Sequence, residues 1–337
     1  MTCSFSDPER YREAIKSLPA PDQVAMDAAR LRQGQLTKPP GSLGRLEEIA
    51  IWIAGWQGRE KPQLNSPQCL IFAGNHGVAA QGVSAFPSEV TAQMVGNFSA
   101  GGAAINQLTR AGGINLDVIA LELDRPTQDF TAQAAMTVQE TLTAMQTGAD
   151  AIPDDADILL LGEMGIANTT SAAAIALACL GGKAVDWVGP GTGLDADGIN
   201  RKVEVVEQSV GFNSNLKDGL SILSHLGGRE LAAIAGAVLE ARHRSIPVLL
   251  DGYISTASVL PLYKDNPDIL DHCLISHRSQ EPGHQRILAK TGLEPILDLG
   301  LRLGEGSGAA TAFPVIRAAV EVHSGMATFA EAGVSEG

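Results

Sequence analysis

Two glutamates stand out by their setting. Glu305 lies between glycines in LGLRLGEGSGAAT, and Glu163 follows a glycine in LLLGEMGIANTT. Each comes after an apolar run and before an Ala-rich stretch. Glycine beside a carboxylate lets the backbone turn tightly and lets a ligand approach with no Cβ in the way. A glutamate that only solvates a surface needs neither. The two read as a carboxylate pair presented to a bound small molecule.

Other segments offer places for a phosphate. GPGTGLD (189–195) invites a dinucleotide fingerprint, but its third glycine would fall at Leu194 and no apolar helix follows at once. A phosphate- or ribose-contacting loop with Gly191 and Gly193 is the more modest reading, with Lys202 either a nearby point charge or a solvated surface lysine. IANTTSAAAIALACL supplies Asn168, Thr169 and Thr170 at a helix start, whose unpaired N–H groups and positive dipole end suit an anion. GVSAFPSEVTAQMVGNFSAGGAAI contributes Ser84, Phe86, Gln93, Met94 and Phe98, an apolar mix with a few polar groups that suits an aromatic heterocycle. For Met94 and Phe98 taken alone, ordinary helix core is the preferred reading.

Several chemistries lack their sequence marks. The histidines form no HExxH and no His/Cys cluster, and the spacing of His277 and His284 in SHRSQEPGH matches no common metal site, so loop-organising hydrogen bonds are expected there. No metal and no cofactor is expected. GxSxG is missing. So is the acidic pair with a Thr-Gly-Gly-Thr-like loop that binds phosphoribosyl pyrophosphate, which disfavours pyrophosphate–magnesium chemistry.

The elements that must position these groups can be read from periodicity. Residues 8–60 read as helical, with DQVAMDAARLRQGQL and RLEEIAIWIAGWQ separated by a stop at Pro39-Pro40-Gly41. Beyond a linker at 61–68, short apolar runs follow: CLIFAG (69–74), LDVIALEL (116–123), DILLLG (157–162), AVDWVG (184–189), IPVLLDG (246–252) and HCLISH (272–277). Ala-rich helical stretches separate most of them. Strands alternating with helices imply an α/β fold: a mostly parallel, Rossmann-like sheet with helices on both faces. A small helical subdomain (1–60) is expected beside an α/β domain (61–337), with the C-terminal helix packing on the former. That last helix either kinks at Pro314 or begins near it. Ligands of such sheets bind beyond the carboxyl ends of the strands, so AGNHG, GEMG, GPGTG, DGY and SHRSQEPGH should gather along one rim.

Bulk properties narrow the partners. The 337 residues carry a net charge of −14, which argues against nucleic acid. The chain is 45% hydrophobic but only 4% aromatic, favouring close helix–sheet packing. Cys3, Cys69, Cys179 and Cys273 are scattered without CxxC; the last three lie in apolar segments and read as small buried hydrophobes, and a reducing cytoplasm is the natural compartment. The N-terminus lacks a signal-peptide core, and no apolar stretch is long enough for a membrane span.

Taken together, eight segments in order resemble the nicotinate-nucleotide–dimethylbenzimidazole phosphoribosyltransferases: TKPPGSLGRLE (37–47), AGNHGV (73–78), GVSAFPSEVTAQMV (82–95), GEMGIANTTSAA (162–173), GTGLD (191–195), DGYISTAS (251–258), SHRSQEPGH (276–284) and LGLRLGEGSGAA (299–310). The resemblance implies transfer of phosphoribose from nicotinate mononucleotide to 5,6-dimethylbenzimidazole, within cobalamin synthesis. It implies Glu305 as general base, Glu163 as a second active-site glutamate and Lys202 on the phosphate side. Gly165, Asn168, Thr169, Gly191, Gly193 and Ser276 would contact substrate, and Ser84, Phe86 and Gln93 the benzimidazole. A homodimer is also implied. Pro190, Ala196, Asn75 and Ala167 depart from the family pattern, where arginine, an acidic residue, aspartate and glycine are usual. Two other classes stay open at this point: a nucleotide sensor that keeps the pocket without turnover, and an NAD-dependent dehydrogenase, against which the broken fingerprint counts.

Overall fold

The computed structural model describes residues 3–335. Its centre is a parallel sheet of β1 (Pro67–Ala73), β2 (Asn115–Ala120), β3 (Ile158–Met164), β4 (Val248–Leu250), β5 (Cys273–His277) and β6 (Pro295–Leu297), in the order β2-β1-β3-β4-β5-β6. The chain steps outward from β1 to β2, then returns to place β3 on the other side of β1. The carboxyl ends of β1 and β3 therefore flank the crevice where such sheets bind ligands.

Alternation along the strands supplies two buried faces. Leu70, Phe72, Leu159, Leu161, Val248 and Leu250 pack into one core, and Cys69, Ile71, Ile158, Leu160 and Leu249 into the other. Register aligns Leu70, Leu161 and Leu250 as one row across β1, β3 and β4. A strand buried on both faces must be apolar at every position, which is why these runs are continuous.

The first core is covered by α1 (Pro8–Lys16), α6 (Val138–Asp150), α7 (Asn168–Leu180), α8 (Ala196–Phe212), α9 (Gly219–Leu226), α10 (Arg229–His243), α11 (Tyr253–Asp265) and α12 (Pro282–Thr291). On the second lie α3 (Arg45–Gln57), α4 (Glu89–Ser99), α5 (Ala104–Gly112) and α13 (Ser307–Gly325). Outside α3 sits α2 (Gln23–Gln35), whose Arg32 side chain donates to the carbonyls of His323 and Met326 at the end of α13 (2.9 and 2.8 Å). A short α14 (Phe329–Ala332) follows. Thus α1 packs on one face of the sheet, while α2 and α3 pack with α13 on the other. No helix among the described residues is long and apolar enough to cross a membrane.

Three local expectations need amendment. AVDWVG is not a strand: Ala184–Asp186 forms a single 3₁₀ turn, closed by the Lys183 N–H donating to Asp186 Oδ2 (3.0 Å). Its apolar character serves Trp187, which is buried as a plug with Nε1–H donating to the Gly181 carbonyl (3.0 Å), while Val185 stays exposed. A strand absent from the sequence reading, β6, adds three half-buried edge residues. Helix α13 runs through Pro314 from its start at Ser307.

Helices α6 and α10 meet backbone to backbone. A Cβ on Gly148 would overlap the Ala233 carbonyl, and one on Gly236 would overlap the Met145 carbonyl. Since neither obstacle is a side chain that can swing away, Gly148→Ala or Gly236→Ala should destabilise the protein by roughly 2–3 kcal/mol. A urea midpoint unchanged in both variants would show that these helices separate freely.

Candidate active site

Beyond the carboxyl ends of the strands lies a cavity of about 540 Å³. Its wall takes Glu163 and Gly165 from the end of β3, and Asn168 and Thr169 from the start of α7. Asp251 and Tyr253 come from the β4–α11 junction, and His277 and Glu281 from the β5–α12 connection. Gly191 and the loop 300–305 close one side, and the half-exposed Phe86 contributes from the segment before α4. Four of the five glycine-bearing segments expected on this rim contribute. The fifth, AGNHG, lies beneath it.

Glu305 is seated by its backbone. Gly304, Glu305 and Gly306 take positive φ in succession (82°, 62° and 73°), a conformation that costs a residue with a Cβ about 1–2 kcal/mol. Asp251 holds it there. This fully buried carboxylate accepts from the Gly306 N–H (3.1 Å) and the Ala309 N–H (2.9 Å), so the end of β4 caps the first turn of α13. Behind Asp251 stands His277 Nδ1, at 3.8 Å, and Ser276 Oγ donates to the Asp251 carbonyl (2.8 Å). Burial pushes the Glu305 carboxyl above the ordinary range, and the negative charge of Asp251 adds to this.

Glu163 is the more enclosed of the pair, at 5% exposure against 8% for Glu305. A Cβ on Gly304 would lie 2.7 Å from its Oε1, so the loop that carries Glu305 passes directly over it. Its Oε2 accepts from the Asn168 amide. Burial, then the charges of Glu230 and Asp251, push Glu163 up to about 8, against the opposing Asn168 bond.

The other end of the cavity is cationic underneath. Lys202 is buried, and Nζ donates to Thr169 Oγ1 (2.6 Å) and the Gly189 carbonyl (3.4 Å). Burial lowers it to about 8, with Glu281 opposing. Lys202 thus stands directly behind Thr169 and Gly191, both of which face the cavity. Gly191 is pinned twice, its N–H donating to Glu281 Oε1 (3.1 Å) and its carbonyl accepting from the exposed Arg302 (3.3 Å).

Of the residues singled out in the sequence, Glu305, Glu163, Gly165, Asn168, Thr169, Gly191 and Phe86 share the cavity wall. Lys202 lies one layer behind. Gly193, Ser276, Ser84 and Gln93 lie outside the wall: Ser276 is buried beneath Asp251, Ser84 Oγ accepts from the Phe86 N–H (3.3 Å), and Gln93 is exposed on α4. Phe98 is core, with Met94 packed against it. Sequence reasoning passed over Asp251, Glu281 and Arg302, and gave His277 a part only in organising its loop. Asp251 carries the same mark as Glu163, an acid beside glycine at the end of an apolar run, and Arg302 lies three residues before Glu305.

The histidines of SHRSQEPGH organise their loop. His284 Nδ1 accepts from the Ser279 N–H (3.0 Å), Nε2 meets Thr256 Oγ1 (3.2 Å), and burial pulls the ring down to about 3. Among the departures from the family pattern, Ala167 takes φ 74°, a position that glycine fills without strain. Asn75 points away from the cavity and donates to the Leu123 carbonyl (3.0 Å).

Comparison with known proteins accounts for this arrangement. A family model described as phosphoribosyltransferase matches residues 18–334. A relative from Ruegeria pomeroyi, named nicotinate-nucleotide–dimethylbenzimidazole phosphoribosyltransferase, is 56% identical over the whole of both chains. One of the same name from Novosphingobium aromaticivorans is 56% identical over 99% of each. The crystal structure of CobT from Thermus thermophilus superposes with a TM-score of 0.87 at 42% identity, covering 93% of this chain and all of that one. An α/β scaffold, a cavity at its carboxyl rim and matching relatives along the full length agree: the chain belongs to the nicotinate-nucleotide–dimethylbenzimidazole phosphoribosyltransferase family.

Proposed function

We propose that Glu305 is the general base in the transfer of phosphoribose from nicotinate mononucleotide to 5,6-dimethylbenzimidazole, giving α-ribazole 5′-phosphate and nicotinate for the nucleotide loop of cobalamin. The observation that carries this reading is the seating of Glu305, a carboxyl fixed by its backbone in the cavity wall, with burial and Asp251 as the influences on its acidity.

The chemistry asks for such a group. The donor's pyridinium nitrogen is already positive, so its bond to the anomeric carbon breaks with the electron pair going to nicotinate, and no proton need be supplied to it. One azole nitrogen forms the new bond while the other carries a proton. As positive charge grows on the azole, that N–H acidifies and Glu305 accepts the proton. A β donor and an α product call for in-line displacement with inversion. Glu305 then acts as a base and forms no bond to the sugar. Holding two rings face to face supplies much of the remaining acceleration.

Phosphoribose lies toward Thr169 and Gly191, with Lys202 behind them and Arg302 at the rim. The azole lies toward Phe86 and Glu305. The assignments of Ser84, Gln93, Gly193 and Ser276 to substrate rest on the resemblance. The exposed apolar Phe86 and Leu303 on the cavity wall favour a homodimer in which a partner covers that edge. Four unpaired cysteines favour the cytoplasm. Within the helical region 1–60, α2 and α3 form a small unit with α13, while α1 lies apart on the other face of the sheet.

Nicotinate release on mixing the protein with both substrates tests the reading, and binding of both without release would sink it. In Glu305→Gln, kcat should fall by about 10²–10⁴ with donor binding kept. Near-normal turnover would mean that the proton leaves by another route. For Lys202→Ala, we expect the Kd for nicotinate mononucleotide to rise about tenfold. An unchanged value would refute the phosphate assignment. Asp251→Ala should cost about 2 kcal/mol of stability and lower kcat, because the amides of Gly306 and Ala309 lose their acceptor. Full activity in this variant would show that Glu305 is held by other means.

A further inference from the structure

Beneath the cavity lies a buried pair that the transfer as described leaves unused. Glu230, in the first turn of α10, is fully buried, and its Oε1 lies 2.5 Å from Nε2 of the equally buried His76. His76 belongs to the AGNHG segment that follows β1. Three glycines make the room. A Cβ on Gly74 would come within 2.5 Å of Glu230 Oε2, one on Gly165 within 2.7 Å of Oε1, and one on Gly228 would overlap the His76 ring. A Cβ on Gly165 would also lie 3.4 Å from Asn168 Nδ2, the amide that donates to Glu163. Glu230 and Glu163 therefore approach one glycine turn together. Glu230 Oε2 and His76 Nδ1 find no hydrogen-bond partner among the described residues. A buried, half-satisfied acid is costly, and an apolar side chain would fill the space with less penalty.

We infer that Glu230, clamped by His76, is a positioning residue that divides the pair Glu163 and Glu305 into a neutral acid, Glu163, and a carboxylate base, Glu305. The inference rests on the reading of Glu305 as base. Glu163 is faced by Glu230 from α10, Asp251 from the end of β4 and Glu305 from the loop before α13, with the Asn168 amide from α7 as its hydrogen-bond donor. The two histidines nearby are already engaged, His76 with Glu230 and His277 with Asp251. Like charges gathered in a low dielectric cannot all persist, and Glu163, buried with three carboxyls acting on it and one amide donor, is the group that keeps its proton. After burial, Glu230 is the largest influence holding Glu163 at about 8. A neutral Glu163 accepts from Asn168 with one oxygen and leaves the other, beside Gly304, to carry a hydrogen. It then adds no further negative charge to a cavity that receives an anionic donor.

Infrared titration of the substrate-free protein tests this, reading the carbonyl stretch of a protonated carboxyl and assigning it by its loss in Glu163→Gln. In the wild type the band should persist to about pH 8, and in Glu230→Gln it should vanish at least about one pH unit lower. Glu230→Asp, which keeps the charge, should hold the wild-type midpoint, whereas a merely structural role would make both variants behave alike. The alkaline limb of kcat/KM for the donor should move with the band. Lys202 loses its charge in the same window, so only the part of the limb abolished by Glu163→Gln counts. An unmoved midpoint in Glu230→Gln would overturn the inference. If that variant does not fold, the wild type can still overturn the inference, by losing the Glu163 proton below about pH 6. Because the infrared reading needs no turnover, its outcome stands apart from that of Glu305→Gln.

Discussion

The pair of hydrogen bonds from the Gly306 and Ala309 amides to Asp251 ties the chemistry to the sheet. A short central strand of three residues ends in a carboxylate, and that carboxylate caps a helix of nineteen. The three left-handed residues before α13 are tolerable because the helix they enter is anchored at its first turn. Gly162 of β3 backs onto Gly306, so the sheet also presses on the loop from below. Glu305 inherits its place from these contacts and not from any partner of its own side chain.

Burial then sets the acidities. Glu163, Glu305, Asp251 and Glu281 all line one cavity, and burial raises the carboxyl of each. The cations are placed apart from Glu163, Glu305 and Asp251 and beside Glu281, with Lys202 behind the cavity wall and Arg302 at its edge. The result is a cavity with buried, raised carboxyls at one end and a buried lysine behind its wall at the other. One end of the cavity is thus suited to accept a proton and the other to hold an anion.

Much of this was legible in the sequence because the relevant signals are local. Continuous apolar runs betrayed β1 and β3, and flanking glycines marked Glu163 and Glu305. What escaped was non-local or short. The edge strand β6 has three half-buried residues and no apolar run to announce it. Trp187 made AVDWVG resemble a strand, although a single plug satisfies the same burial. Lys202 and Glu281 come together only through folding, and so do His76 and Glu230, which are 154 residues apart in the chain. No spacing rule could pair them.

The contact between α6 and α10 bears on where this protein can move. With carbonyls at Ala233 and Met145 set against glycine Cα atoms, no layer of side chains lies between the helices to deform. They form one stiff slab, and the first turn of α10 cannot shift without carrying α6 with it. The stiff pair lies behind the site, reaching it through Glu230 beside Gly165. Phe86 and Leu303 stand exposed on the cavity wall in segments outside regular secondary structure, and the freedom to adjust around a ligand lies with them and not with the helices behind.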